Sequence, residues 1–249
     1  MRYFIELAYN GKAYHGWQNQ PNAISVQEVL EKGLSTLMRD TISVVAAGRT
    51  DAGVHALQMF AHFDVDQELD TEQLVFKLNS FLPSDIAIKA FFKVHDQAHA
   101  RFDALSRQYL YRVSLSKNVF NNDLSYLVSN KLDLDKMNKA CKILFDYKDF
   151  QCFSKSKTDV KTYNCDIMFA NWKLENNELH FTIKADRFLR NMVRAIVGTM
   201  IEIGSGKLET EDLHTIIQSK DRGEAGFSVP AKGLFLTHIE YPESIKQNN

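Results

Sequence analysis

The sequence contains little proline and little cysteine, and it has no long apolar run. With four prolines in 249 residues and no stretch rich in Pro and Gly, nothing indicates a flexible linker. The three cysteines are widely spaced and form no Cys-x-x-Cys pair, which indicates reduced thiols rather than a disulfide framework or a zinc site. Because the apolar runs are too short to span a membrane and the chain starts directly with a predicted strand, we expect neither an anchor nor a signal peptide. The protein is therefore predicted to be cytoplasmic.

An excess of positive charge is also missing. The 30 Lys and Arg residues are balanced by 31 Asp and Glu, so an RNA-binding role would depend on segregated charge. Residues 101–117 show such segregation, since they carry three arginines and one lysine against the single Asp103. A Walker loop and a Gly-x-Gly-x-x-Gly motif are absent from the sequence, and its histidines fall at no recognised ligand spacing. We therefore expect no metal and no nucleotide cofactor.

The hydrophobic pattern alternates between strand and helix periods along the chain. Ser25-Val26-Gln27-Glu28 is a capping box that opens a helix. Strands are predicted at 2–9, 42–47, 56–65, 86–94, 107–115, 162–173, 178–186 and 233–240, and helices at 26–38, 70–80, 133–145, 187–203 and 209–219. This mixture favours an α+β protein with mainly antiparallel sheet and helices packed against it. The repeated order predicts two similar α/β subdomains, 1–100 and 101–249.

One loop combines a constrained backbone with charged side chains. It covers residues 48–56, Gly-Arg-Thr-Asp-Ala-Gly-Val-His-Ala, between two predicted strands. Its two glycines allow tight or left-handed backbone, and Asp51 could simply close an ordinary Asp-x-Gly turn. A carboxylate on a constrained loop beside a sheet is also a common way to build a catalytic site. Spacing alone favours the ordinary turn, because most Asp-x-Gly turns have no catalytic role.

The identity of the whole string favours the catalytic interpretation. Residues 49–55, Arg-Thr-Asp-Ala-Gly-Val-His, resemble the signature loop of the tRNA pseudouridine synthase A family, whose aspartate is the catalytic residue. Asn10 departs from the aspartate that is common in that family at its position. Shorter matches extend the resemblance over nearly the whole chain, at Tyr9-Asn10-Gly11, Gly16-Trp17-Gln18, Ser25-Val26-Gln27, Leu82-Pro83-x-Asp85-Ile86, Asp149-Phe150 and Gly233-Leu234-x-Leu236.

Two adjacent segments also resemble elements of this family. His-Ala-Arg-Phe at 99–102 leads into a predicted strand on which Arg107, Tyr109 and Tyr111 share one face. An amphipathic edge strand with aromatic packing would explain this pattern. Aromatic residues alternating with arginines also form a stacking platform flanked by phosphate contacts, as RNA recognition requires. The resemblance implies that Tyr109 stacks on the target base.

The predicted helix 187–203 has a broad apolar face and a basic stripe formed by Arg187, Arg190 and Arg194. Such a stripe is usually a solvated face. The segment 192–198, however, resembles a family element whose arginine belongs to the active-site cleft. Arg194 is therefore the candidate partner of Asp51, because a nearby cation lowers the pKa of a carboxylate and keeps it ionised. Arg190 stands where some relatives have histidine.

The resemblance implies the pseudouridine synthase fold, in which two similar α/β subdomains form a central sheet with helices packed outside. It also implies a homodimer that isomerises uridine to pseudouridine at positions 38, 39 and 40 of the tRNA anticodon stem-loop, without a cofactor. Asp51 would attack the sugar C1′, attack the base C6 or remove the C2′ proton. Leu236 would line the pocket. Extrusion of the base from the stacked RNA costs a few kcal/mol. The cations that could offset this cost are Arg49, Arg101, Arg107 and Arg194.

Two other classes of function remain compatible with parts of the pattern. A non-catalytic RNA-binding protein would use the Tyr and Arg strand as a platform, and the constrained Asp51 argues against it. A carboxylate-dependent hydrolase of small nucleosides would need a second nearby carboxylate or a metal motif, and the sequence shows neither.

Overall fold

The structure, a computed structural model, describes residues 1–156 and 160–246. The chain forms two compact units: unit 1 comprises Met1–Ser106 with Phe235–Asn249, and unit 2 comprises Arg107–Leu234. The strands are β1 (Arg2–Tyr9), β2 (Val45–Ala46), β3 (His55–Asp64), β4 (Ile86–Val94), β5 (Ser106–Ser114), β6 (Tyr126–Leu127), β7 (Ile167–Glu175), β8 (Glu178–Ala185) and β9 (Leu234–Glu240). The α-helices are α1 (Val26–Met38), α2 (Thr71–Phe81), α3 (Leu134–Ile143), α4 (Met192–Gly204) and α5 (Asp212–Ser219).

Unit 1 is built on a largely antiparallel sheet. Strand β1 lies between β3 and β4 and is antiparallel to both, with Ile5 opposite Ala61 on one side and Phe91 on the other. The short β2 is antiparallel to the second half of β3, at Ala61 and His62, whereas β9 pairs in parallel with the start of β3. Tyr3, Ile5, Leu7 and Tyr9 alternate on one buried face of β1, and Phe4 on the opposite face is fully buried as well. This sheet holds the loop that enters β3.

Unit 2 repeats part of this arrangement. Strand β8 lies between β5 and β7 and is antiparallel to both, as β3 lies between β1 and β2 in unit 1. In unit 1, α1 follows β1 and α2 follows β3; in unit 2, α3 follows the short β6 and α4 follows β8. The register places Tyr109 opposite Ile183 and Tyr111 opposite Phe181. The predicted α+β class with mainly antiparallel sheets is confirmed.

The division of the chain differs from the predicted subdomains 1–100 and 101–249. The boundary lies at residue 106, and the C-terminal segment from Phe235 belongs to unit 1. This return of the chain follows from strand pairing, because Phe235 and Leu236 of β9 lie opposite His55 and Ala56 of β3. Periodicity identifies β9 as a strand but contains no information about its partner.

Helix caps and the hairpin turn form as the local sequence predicts. The side chains of Ser25, Asp70 and Asp133 each accept a hydrogen bond from the main-chain N–H three residues later, at the start of α1, α2 and α3. Asn176 and Asn177 have φ of 48° and 63°, the left-handed backbone that a two-residue hairpin turn between β7 and β8 requires.

Several predicted boundaries are wrong. The predicted strand 42–47 shrinks to Val45–Ala46, because side chains of α1 take the main-chain donors of this segment: Ile42 N–H donates to Ser35 Oγ and Val44 N–H to Glu31 Oε1. Residues 162–166 also lie outside β7, and α5 starts at Asp212 rather than 209.

The predicted helix 187–203 begins only at Met192. Asn191 adopts a left-handed backbone with φ of 69°, which ends any continuous helix before it. Of the three arginines in the predicted basic stripe, only Arg194 lies on α4. Arg187 and Arg190 precede the helix, so the stripe does not exist.

Candidate active site

The loop before β3 is a closed turn with a left-handed glycine. The Val54 N–H donates to the main-chain oxygen of Asp51 at 3.1 Å, and Gly53 has φ of 77°. The turn that the sequence allows is therefore present, and its closing acceptor is the carbonyl of Asp51. Asp51 itself is half-buried and the neighbouring Arg49 is exposed.

A second segment, residues 9–17, holds this turn from outside. The Tyr9 hydroxyl lies 2.9 Å from Oγ1 of Thr50, and the Trp17 N–H donates to the Thr50 carbonyl at 3.3 Å. The Gly53 N–H donates to the Tyr14 carbonyl at 3.2 Å. Hydrogen bonds thus tie the loop on both sides of Asp51, which limits where its carboxylate can lie.

Two glycines of the segment 9–17 allow this close approach. A Cβ on Gly16, which has φ of 91°, would lie 2.3 Å from the Thr50 carbonyl oxygen, and a Cβ on Gly11 would lie 2.0 Å from that of Val54. Neither position can hold a side chain without moving the loop. The sequence matched both glycines to the family, but only the contact shows that they support the Asp51 loop. Sequence reasoning missed this role.

His55 ends the loop as a buried support. Its side chain is 2% exposed and stacks on Phe235 with 4.6 Å between ring centroids. Its Nδ1 accepts a hydrogen bond from the Gly11 N–H at 3.1 Å, so this ring nitrogen carries no proton. Leu236 follows on β9, opposite Ala56, and is buried at 2% exposure.

Arg101 lies in the same unit on the segment that follows β4. It is exposed, and its guanidinium carbon lies 5.6 Å from the centroid of the Phe102 ring. Unit 1 therefore carries Asp51, Arg49, Arg101 and Leu236 of the predicted site residues.

Unit 2 carries the other predicted site residues. On β5, Tyr109 is half-buried with its ring edge-on to Phe188 at 5.1 Å, and Arg107 donates from Nη1 to the Asp186 carbonyl at 2.8 Å. Tyr111 belongs to the core, since its hydroxyl donates to the Pro230 carbonyl and burial raises its pKa well above the ordinary value. Tyr109 and Arg107 are thus the accessible part of the predicted platform.

Arg194 lies in the first turn of α4 and is oriented by the segment around Val229, which precedes β9. Its Nε donates to the Val229 carbonyl at 2.7 Å, and the Val229 N–H donates back to the Arg194 carbonyl at 3.2 Å. The same segment packs directly on α4, because a Cβ on Gly198 would lie 1.8 Å from the Phe227 carbonyl oxygen. The guanidinium of Arg194 is therefore held in one direction. Its pairing with Asp51 stays a prediction.

Within residues 1–156 and 160–246, no group of three or more His, Cys, Asp or Glu side chains could hold a metal ion. The same residues contain no helix long and apolar enough to cross a membrane.

Comparison with known proteins identifies close relatives. The model of the family described as tRNA pseudouridine synthase matches residues 7–103 and 140–242. A tRNA pseudouridine synthase A of Parabacteroides distasonis is 53% identical over 245 residues, which cover 98% of this chain and 97% of the relative. The protein of the same name from Bacteroides thetaiotaomicron is 53% identical over 247 residues, covering 98% of this chain and 92% of the relative. A more distant relative of that name, from Geobacter sp., is 38% identical over 240 residues, covering 95% and 97%.

Proposed function

The chain belongs to the tRNA pseudouridine synthase family and is an isomerase that acts on tRNA; we propose that its targets are uridines 38, 39 and 40 of the anticodon stem-loop and that Asp51 is the catalytic residue. We further propose that the enzyme works in the cytoplasm as a homodimer, as the family resemblance implies. Sedimentation equilibrium of the purified protein tests the dimer directly.

The observation that carries the proposal is the way the Asp51 loop is held. Thr50, on one side of Asp51, is bonded to Tyr9 and Trp17, and Gly53, on the other side, is bonded to Tyr14. An ordinary surface turn does not need support from a second segment. Here the second segment comes so close that any side chain at Gly11 or Gly16 would clash with the Asp51 loop. Precise placement of a carboxylate is what a catalytic group requires.

The reaction needs few groups. The bond between C1′ and N1 of the uridine breaks, the uracil turns, and a bond forms between C1′ and C5. The C5 proton leaves and N1 gains a proton, so nothing is oxidised or hydrolysed. Asp51 would attack C1′, attack C6 or remove the C2′ proton, and each of these routes uses the same ionised carboxylate.

The other predicted site residues, from both units, supply the remaining roles in this proposal. Tyr109 would stack on the extruded uracil, because its ring is half-buried and already oriented by Phe188. Arg107 and Arg194 would contact the RNA backbone, and a main-chain carbonyl orients each guanidinium. Arg49 would add a further cation next to Asp51, and Leu236 would pack behind the pocket. These contacts would offset the cost of extruding the base.

Release of tritium from tRNA labelled at uridine C5 tests the catalytic role. Asp51→Asn, which keeps the shape of the side chain, and Asp51→Ala should both abolish release while tRNA binding remains. The control Asp66→Asn removes one exposed carboxylate of the same unit and should react at the wild-type rate. Transcripts with a single uridine at position 38, 39 or 40 then test the target sites. Turnover by Asp51→Ala would disprove the assignment of Asp51, and release from none of the three transcripts would disprove the assignment of the sites.

A further inference from the structure

The segment 98–103, which we call the 98–103 loop, is hydrogen bonded to distant parts of unit 1. Arg2 Nη1 donates to the Ala98 carbonyl at 2.9 Å. The Ala100 N–H donates to His62 Nδ1 at 3.1 Å, and the Tyr241 hydroxyl donates to the Ala100 carbonyl at 2.5 Å. Strands β1 and β3 and the segment after β9 therefore fix the first half of this loop.

The second half of the 98–103 loop is fixed by its own side chains. The N–H groups of Arg101 and Phe102 both point at His99 Nδ1, at 3.1 and 3.4 Å. The Asp103 carboxylate accepts from the His99 N–H at 2.7 Å, and the Asp103 N–H donates back to the His99 carbonyl at 3.1 Å. Together with the Ala100 N–H, the main-chain donors of five successive residues, 99–103, are thus satisfied in one arrangement.

This ordered loop displays an aromatic ring to solvent. The Phe102 side chain is 73% exposed, although its main chain is held in place. The His99 ring lies 4.3 Å from the Phe102 ring, and the Arg101 guanidinium lies over it at 5.6 Å. A flexible loop could turn such a ring towards the protein, whereas this loop holds it outward beside a cation.

We propose that Phe102 stacks on an unpaired base of the RNA substrate, that Arg101 contacts the adjacent phosphate, and that His62 is a positioning residue for both. The inference rests on the proposed function, since it assumes an RNA substrate. A fixed aromatic face flanked by a guanidinium matches the two repeating parts of a nucleotide, a base with a π-face and a phosphate with negative charge. A protein partner would instead be expected to cover apolar neighbours around the ring.

His62 acts through the loop rather than on the RNA. Its side chain is 5% exposed, and its Nδ1 can accept the Ala100 N–H only when this nitrogen carries no proton. The His62 and His99 rings are in contact, with 4.7 Å between their centroids. The two imidazoles therefore hold three consecutive main-chain donors, those of residues 100, 101 and 102.

Phe102→Ala and Phe76→Ala form a matched pair that tests the stacking role. Phe76 lies on α2 of the same unit and is also 73% exposed, so both changes remove an equally accessible ring. Equilibrium binding of fluorescent tRNA to Phe102→Ala should be about 5- to 100-fold weaker, the usual range for loss of one base stack. KM should rise with kcat nearly unchanged, whereas Phe76→Ala should bind and react like the wild type.

Three results would overturn the stacking role. They are wild-type binding by Phe102→Ala, an equal loss in Phe76→Ala, and a changed oligomeric state of Phe102→Ala with unchanged tRNA binding, which would indicate a protein contact. Tritium release by the wild-type protein separates this inference from the proposed function. If the wild type releases no tritium from tRNA, both the proposed function and this inference fail. If the wild type releases tritium and Phe102→Ala binds tRNA as tightly as the wild type, only this inference fails.

Two substitutions of His62 test positioning. Asn places its carbonyl oxygen near the position of Nδ1 and can still accept the Ala100 N–H, whereas Leu cannot. His62→Leu should raise KM towards that of Phe102→Ala, His62→Asn should recover most of the loss, and His62→Leu should add little in the Phe102→Ala background. Circular dichroism at the assay temperature confirms that each variant is folded. A lower kcat with unchanged KM in His62→Leu, or equal defects in both variants, would contradict the positioning role.

Discussion

The Tyr9 hydroxyl lies 2.9 Å from Oγ1 of Thr50, so the last residue of β1 is hydrogen bonded to the residue that precedes Asp51. The tyrosine is 4% exposed, so the contact lies inside unit 1 rather than on its surface. The first strand thereby supports the Asp51 loop directly as well as through the sheet.

A double-mutant cycle measures this support. Tyr9→Phe and Thr50→Val each remove one partner, and we expect a coupling of about 1 kcal/mol in the free energy of unfolding, as for a typical neutral hydrogen bond. kcat should fall in both variants, by up to about 100-fold if the carboxylate moves by an ångström. Urea unfolding and tritium release give the two quantities. If the two substitutions have additive effects on the free energy of unfolding and on kcat, the hydrogen bond does not position the loop.

Gly16→Ala tests the close approach between the two segments. The new Cβ would lie 2.3 Å from the Thr50 carbonyl oxygen, and the φ of 91° is unfavourable for alanine. We expect a loss of stability of about 2–4 kcal/mol and a large fall in kcat. Gly206→Ala separates the two causes, because φ is 76° there and nothing lies within 4 Å of the added Cβ. That variant should lose about 1 kcal/mol and keep full activity; equal effects of the two substitutions on activity would contradict the supporting role of Gly16.

His62 should make the protein less stable at mildly acidic pH. Burial, together with Arg2 and His99, lowers the pKa of His62 from 6.5 to about 4. Between these values the unfolded chain binds a proton that the folded protein excludes, so stability falls as pH drops from about 6.5 towards 4, by at most about 3 kcal/mol. Urea unfolding of the wild type and of His62→Asn at several pH values measures this difference. The prediction fails if the two curves stay parallel over this interval.

The three cysteines should be unreactive in the folded protein. All are buried, and burial raises the pKa of Cys141, Cys152 and Cys165 to about 12, so almost no thiolate forms at pH 8. A thiol reagent such as DTNB should label all three only after unfolding in urea. Ser43→Cys introduces an exposed thiol and should react at once, which shows that the reagent is active. Rapid labelling of the wild type before unfolding would show that one of these sites is accessible.

The predictions that held depend on residues a few positions apart. The Ser25 capping box opens α1 through the N–H three residues later, and the alternating pattern of residues 2–9 forms β1. The predictions that failed depend on distant competitors. Ser35 and Glu31 take the donors of 42–44, so no strand forms there, although the apolar pattern of that segment favours one.

The candidate site divides in the same way. The string at 49–55 selected Asp51 through its resemblance to the signature loop of the family, whereas its spacing alone favoured an ordinary turn. The residues that support the Asp51 loop, Tyr9, Gly11 and Gly16, come from another part of the chain. No periodic pattern in the sequence links these residues to the loop. The basic stripe of Arg187, Arg190 and Arg194 failed because Asn191 turns left-handed before α4, a backbone state that a 3.6-residue pattern cannot detect.

The sequence by itself therefore determined the fold class and most of the elements, since these follow from hydrogen bonds and side-chain periods within a few residues. Its resemblance to the family selected Asp51 as the residue to test. Only the tertiary structure decided that β9 joins the first unit, that residues 9–17 hold the Asp51 loop, and that His62 holds the 98–103 loop. Each of these is a contact between residues 33 or more positions apart, and such contacts are selected by the packing of the whole unit rather than by the local chain.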